Sequence, residues 1–337
     1  SKVNNGIYKI DAAGTYKFTS NNQVTANRIV IQNINSNQGK VEIHLNNLNI
    51  NTSNGPALYI MDSVKVEVLI YLQGNNELIT TNKSSAGLQK NNSSLLTISN
   101  EPGKDTGCLD ASNKAMDQPY PFSSKLEPAG YGAGIGSGMN ESFVSNIVIS
   151  GVSVTASSTS GAGIGSGLAI GGEDSSNTSG NCSNINISSS TVTATSTYGA
   201  GIGSGHTLGG AGCTNTSGTC SDIFISGGSV KGSSIGCIPR QSQNGSQLYL
   251  CEISNTSSST VTTIDDKPWT PSSHLSDGNL YAWLTGEDHF VTVGSKNRCY
   301  IFTSGTFTQK GKHTITINDF NFNPVSYTHL TLPTNSL

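Results

Sequence analysis

Two groups of side chains and one motif in this sequence could do chemistry. Glu173 and Asp174 stand side by side in a glycine-rich stretch, GGEDSSN. Clustered oxygens on a loop suit a hard cation, so these two are the candidate calcium ligands. They make a poor pair for glycoside hydrolysis, because inversion needs carboxyl groups ~6.5–9.5 Å apart and neighbours in an extended loop point apart. Tyr131 and Tyr198 each directly precede a copy of GAGIGSG. A tyrosine offers a flat apolar face with a polar tip, which suits stacking on the C–H face of a sugar, so Tyr131 and Tyr198 are the candidate carbohydrate contacts. GAGIGSG itself invites comparison with a phosphate loop. It lacks GK[ST], the GxGxxG register and a following helix, so close backbone packing at a corner explains the glycines better.

A base is harder to find. Between Leu126 and Val230 there is no Lys or Arg, and the acids there are Glu127, Glu141, Glu173, Asp174 and Asp222. A polyuronate lyase needs a base and a cation against the substrate carboxylate. That stretch offers only His206 as a base. Eleven Lys and Arg precede residue 126, so a lyase or hydrolase site upstream stays open as the rival to a non-catalytic binding surface.

The elements that must hold these residues follow from internal repeats. GAGIGSG occurs at 132–138, 161–167 and 199–205, with a degraded copy, GSSIGC, at 232–237. A second block recurs 38 residues apart as SNIVISGVSVTAS, SNINISSSTVTAT and SDIFISGGSVKGS. The first two glycine motifs are 29 residues apart, so the unit is about 29 residues with a loop that grows in later copies. Within the blocks apolar residues alternate, as in Val41, Ile43, Leu45 and in Ile147, Ile149, which is the period of a strand with one buried face. Units this short cannot close a core alone and must stack on their neighbours. The expected fold is all-β: a right-handed parallel β-helix over residues 1–246, seven or eight turns long. Ile147, Ile185 and Ile223 should then stack ~4.8 Å apart inside it. Over residues 247–323 aromatics return and the pattern is that of a small antiparallel β-sandwich-like domain.

Composition narrows the function classes. Charged residues make up 12% of the 337 residues and the net charge is −3. With 18 Lys+Arg against 21 Asp+Glu the chain lacks the basic excess of a nucleic-acid binder. No apolar run approaches the ~20 residues of a spanning helix, so membrane insertion is not expected. Seven cysteines leave at least one without an intrachain partner. Cys182 and Cys220 are one 38-residue repeat apart, which should bring their Cα atoms within disulfide range.

The run VEIHLNNLNI (41–50), NGPALYI (54–60), KVEVLIYLQGNNEL (65–78) and then the GAGIGSG copies resembles the β-helical carbohydrate-binding domain of exported proteins from anaerobic gut and fibre-degrading bacteria. The resemblance spans roughly residues 35–240. It implies a secreted or cell-surface solenoid that binds plant or host polysaccharide, an acidic glycan such as polygalacturonate first, with calcium in some members. SDGNLYAWLTG (276–286) is similar to the short β-domain that follows such repeats. PVSYTHLTLPTNSL (324–337) resembles sequencing-adaptor read-through and is set aside, so that cell-wall attachment through a missing terminus is a further expectation. A third reading, a structural stalk or adhesin that binds a protein partner, also fits the repeats.

Overall fold

The structure, a computed structural model, describes residues 3–4, 6–105, 107–116, 118–119, 126–127, 130–141, 143–170, 176–178, 180–208, 214–216, 218, 220–232, 235–236, 248–253, 261–268, 273–275, 280–294, 296–304 and 306–310. Among these there is no helix. The chain winds through three parallel ladders in turn, as the repeats require. The first ladder runs Ile7–Ile10, Arg28–Ile31, Leu58–Ile60, Leu88–Lys90, Ile135–Gly136, Ile164–Gly165, Ile202–Gly203 and Ile235–Gly236. The second runs Gly14–Phe18, Val41–Asn46, Val68–Gln73, Leu96–Asn100 and Phe143–Ser150. The third runs Val24–Thr25, Asn49–Thr52, Asn75–Thr80, Cys108–Asn113 and Ser153–Ser158. In the later turns one long strand, Asn181–Ser196 and then Cys220–Gly232, bends through both the second and third ladders.

Side-chain parity does the packing. In Val41–Asn46 the residues Val41, Ile43 and Leu45 are buried, while Glu42 and His44 face out. Inward residues stack on their equivalents: Tyr16, Ile43, Ile70, Ile98, Ile149 and Ile187 form one continuous column. The expected stack of Ile147, Ile185 and Ile223 is present in register, with all three fully buried. Each such side chain contributes about 1.5–3 kcal/mol by leaving water.

The glycine motifs make the first ladder in the later turns. Inside each copy the alanine N–H donates to the carbonyl of the serine four residues on, as Ala162 does to Ser166 at 2.9 Å. This curls the segment into a closed loop. Gly165 has φ +139°, and a Cβ there would sit 1.9 Å from the Gly203 carbonyl oxygen of the next turn. Only glycine permits that conformation and that approach together. The buried Ser137 and Ser166 hydroxyls accept the N–H of Gly167 and Gly205 one turn on, both at 2.9 Å. The corner is therefore a backbone ladder rather than a ligand loop.

Two described segments of the enlarged connectors stack in the same way. Ala169–Ile170 pairs with Thr207–Leu208 and Ser176–Thr178 with Thr214–Thr216, all parallel. Cys182 lies opposite Cys220, with the sulfur atoms 2.6 Å apart.

Beyond the solenoid the strands turn antiparallel. Leu248–Ile253 pairs with Leu280–Thr285, and Val261–Ile264, His289–Val293, Lys296–Thr303 and Thr306–Lys310 form a second antiparallel sheet with Lys267–Pro268. Cys251, Ile253, Ile264, Leu284, Val291, Val293 and Tyr300 make a separate core between them. One short strand of this region, Ser273–Leu275, does not join it. It extends the solenoid's second ladder beside Ile223–Ile225.

Candidate functional site

Of the residues singled out from sequence, Tyr131 and Tyr198 do share an edge of the solenoid. Leu168 N–H donates to the Tyr131 carbonyl, and His206 N–H, one turn on, donates to that of Ser160, the residue between the two tyrosines in the stack. Their exposure differs. Tyr131 is 6% exposed, and the Lys83 ammonium lies 6.0 Å from its ring centroid. A ring so enclosed lacks the open face that stacking on a sugar needs. Tyr198 is 42% exposed and leans on the His206 ring, centroids 5.4 Å apart. Glu173 and Asp174 lie outside the described residues.

A richer surface lies on the second ladder's outer face in the first turns. Two outward columns can be read from the register. One is Thr15, Glu42, Leu69, Thr97; the other is Lys17, His44, Tyr71, Ser99. The Glu42 carboxylate accepts from Thr15 Oγ1 at 3.0 Å and pairs with Lys40 at 2.7 Å. These partners hold its carboxyl below the usual range, led by the Lys40 hydrogen bond. Glu101, on the turn after Leu96–Asn100, reaches back to His44, Oε2 to Nδ1 2.5 Å. The His44 and Tyr71 rings stack obliquely, centroids 5.0 Å apart. The result is a half-buried, pre-organised strip of aromatic, cationic and anionic groups. It can meet both the C–H faces and the hydroxyls of a chain of sugars lying along the ladder.

The continuation of the same columns is plain. Past Thr97 come Val148 and Asn186; past Ser99 come Ser150 and Ser188. There Ser188 donates to Ser150 at 3.0 Å, hydroxyl to hydroxyl. At these four positions the columns carry neither a charged nor an aromatic side chain.

The comparisons fall on those turns. Residues 4–101 match a family model described as carbohydrate-binding domain-containing protein. No curated protein and no solved structure matches the chain. The matched segment includes Thr15, Lys17, Lys40, Glu42, His44, Tyr71 and Glu101, and it excludes all three GAGIGSG copies. Carbohydrate binding is therefore supported for the first turns.

Sequence reading passed over His44, Tyr71 and Glu101. A usable signal was present: in VEIHL and VLIYLQ the alternation that buries Ile43 and Ile70 necessarily turns His44 and Tyr71 outward. Glu101 had no such signal, since it joins His44 across 57 residues.

A second polar group gathers at the outer edge of the first ladder. Tyr59 accepts from Asn91 Nδ2 at 3.3 Å, and Asn91 Oδ1 accepts from Gly138 N–H at 3.2 Å. Burial first, and then the negative charge of Asp62, raise the Glu141 carboxyl above its ordinary value. Asp62 and Glu141 are 79 residues apart in sequence and come into electrostatic range only through the stacking.

Proposed function

We propose that this protein binds polysaccharide along the second ladder's outer face in its first turns, and that it does so without cleaving it. The observation that carries the reading is the coincidence of the family match with the Lys17–His44–Tyr71 column and its flanking Glu42 and Glu101. Parallel stacking repeats a contact point about every 4.8 Å, which suits a polymer with a short repeat. The carboxylates of this strip are engaged: Glu42 with Lys40 and Thr15, Glu101 with His44. A general acid needs a raised carboxyl pKa, and that of Glu42 is lowered. We place the protein outside the cell or on its surface, where its weakly charged, hydroxyl-rich exterior meets such polymers.

The experiment uses the full chain on immobilised polygalacturonate and on a neutral xylan, with and without chelator. Reducing ends and unsaturated ends are assayed in parallel. Retention with no new ends supports the reading, and loss of retention with chelator adds calcium to it. Absence of retention on every polysaccharide refutes it. One observation favours hydrolysis instead, the raised Glu141 carboxyl beside Asp62. Release of reducing ends that Glu141→Gln abolishes would establish that second reading.

A further inference from the structure

The inward positions of the solenoid change character at the first turn. Above it the inward positions are aliphatic: Ile29 and Leu58 in the first ladder, Ile43 and Leu45 in the second, Ile50 and Leu78 in the third. In the first turn the positions below them hold Tyr8, Tyr16, Phe18 and Thr25. These larger rings do not close the space between them. They stand around a cavity of about 450 Å³ whose floor is Ile29, Leu48 and Ile50. A simple plug would be packed as tightly as the rest of the core. This volume falls instead in the range of small-molecule sites, roughly 300–1,000 Å³.

Walls and rim differ in chemistry. Tyr8 and Phe18 meet edge to face, centroids 5.8 Å apart, and Tyr16 is pinned by donating its hydroxyl to the Ala12 carbonyl at 2.9 Å. The rim carries Ser20, Thr25 and Asn27, with Lys17 exposed beside them and in no ion pair among the described residues. Ser20 Oγ is already bonded to the Asn47 carbonyl and the Asn49 N–H, and Thr25 Oγ1 accepts from Asn27 N–H, so the rim offers a ligand the Thr25 hydroxyl proton, the Asn27 amide and Lys17. An amphipathic ring, apolar on its C–H face and hydroxylated at its edge, satisfies both.

We propose that this cavity is a second carbohydrate site, one that takes the terminal pyranose of a glycan chain. The inference rests on the carbohydrate-binding reading of the first turns and adds an end-recognition site to the lateral strip. Lys17 stands between the two, on the rim of the cavity and at the foot of the His44–Tyr71 column. A chain held along the strip could therefore deliver its end into the cavity.

The test is calorimetric titration of the full chain with a short oligogalacturonate, its neutral oligogalactan counterpart, and long polygalacturonate. Leu48→Phe fills the cavity from its floor without touching the rim. It should weaken binding of the short oligosaccharides about tenfold while long polymer, held by the strip, loses less than about threefold. Tyr71→Ala should show the reverse pattern. A preference of the unaltered chain for the charged oligomer would assign Lys17 to a uronate carboxylate, and equal affinity would assign a neutral pyranose; either outcome keeps the site. Methyl resonances of Ile29, Leu48 and Ile50 in the unaltered chain should shift on adding the short ligand, which tests the site even if Leu48→Phe does not fold. Short-ligand binding that Leu48→Phe leaves unchanged, or methyl resonances that do not move, would make the cavity a cap only. No binding of any carbohydrate by the unaltered chain would overturn the functional reading along with it.

Discussion

The turns before residue 114 and those after residue 130 share three ladders but are built to different widths. In the third ladder's inward column the early turns hold Ile50, Leu78 and then Ala111, where the narrowing begins, and the later turns hold Ala156 and Ala194. In the first ladder main chain comes onto main chain from Gly87 onward, where a Cβ would lie 2.5 Å from the Leu78 carbonyl oxygen, and every GAGIGSG copy repeats this. A Cβ on Gly134 would lie 2.7 Å from both the Ala111 carbonyl oxygen and the Ser157 nitrogen, so two walls of the coil nearly touch there. The later turns keep the buried Ile columns and add backbone contact and buried serine hydroxyls at their glycine corners. The early turns are held by aliphatic side chains, and their exterior carries His44, Tyr71, Glu42 and Glu101. A coil held apart by side chains has freedom in what it displays; a coil closed by glycine repeats one motif for its own stability.

Lys90 marks the seam. It continues the inward column of Ile31 and Ile60 yet carries an ammonium, fully buried, that donates to the Asn92 and Ser145 carbonyls at 2.6 and 2.7 Å. Ser145 belongs to the next turn, so this one side chain ties the wide turns to the narrow ones.

The largest expected effect is at the glycine corners. Gly165→Ala should lower the unfolding free energy by roughly 3 kcal/mol or more, from positive φ and a clash with main chain. Gly103 also has positive φ but nothing within 4 Å of a Cβ, so Gly103→Ala should cost about 1 kcal/mol. Denaturant titration of both variants measures the difference. Equal losses would mean that strain alone, and not close packing, governs the later turns.

The next effect is at the seam. Burial pulls the Lys90 ammonium from 10.5 down to about 7. Below about pH 7 the folded chain bears the whole cost of that buried charge. Between about pH 7 and 10 the folded state sheds the proton that the unfolded state keeps, so stability should rise through that window. Lys90→Met should flatten the rise and be more stable than the parent at pH 6. Thermal midpoints across pH decide it; a parent with no rise would contradict a dry Lys90.

The smallest effect separates the two surfaces. Tyr71→Ala should reduce affinity for long polygalacturonate about tenfold, the loss of one stacking ring. Asn186→Ala, the same face farther along, should leave it unchanged. Affinity electrophoresis on polysaccharide-loaded gels reads both, and equal retardation of the two variants would remove the distinction.

How far the sequence could be read follows the same division. The repeating Ile columns and the glycine corners were legible because stacking places identical residues on one another. What interrupts the repeat was not. Lys90 sits at an inward position of LQK, where alternation demands an apolar residue, and only its bonds to Asn92 and Ser145 explain it. The extra residues of the later connectors read as loops but pair with each other, Asn177 opposite Asn215. Tyr131 read as an outward ring because it precedes the same motif as Tyr198, yet in its turn Lys83 covers it.

Hydrogen exchange of the full chain, with and without saturating oligogalacturonate, tests most directly whether the early turns bind and the later turns only support. Added protection concentrated in the strands Gly14–Phe18, Val41–Asn46, Val68–Gln73 and Leu96–Asn100 is the expected result. Protection centred instead on Phe143–Ser150 and Asn181–Ser196 would place the binding face on the glycine-cornered turns and contradict the account.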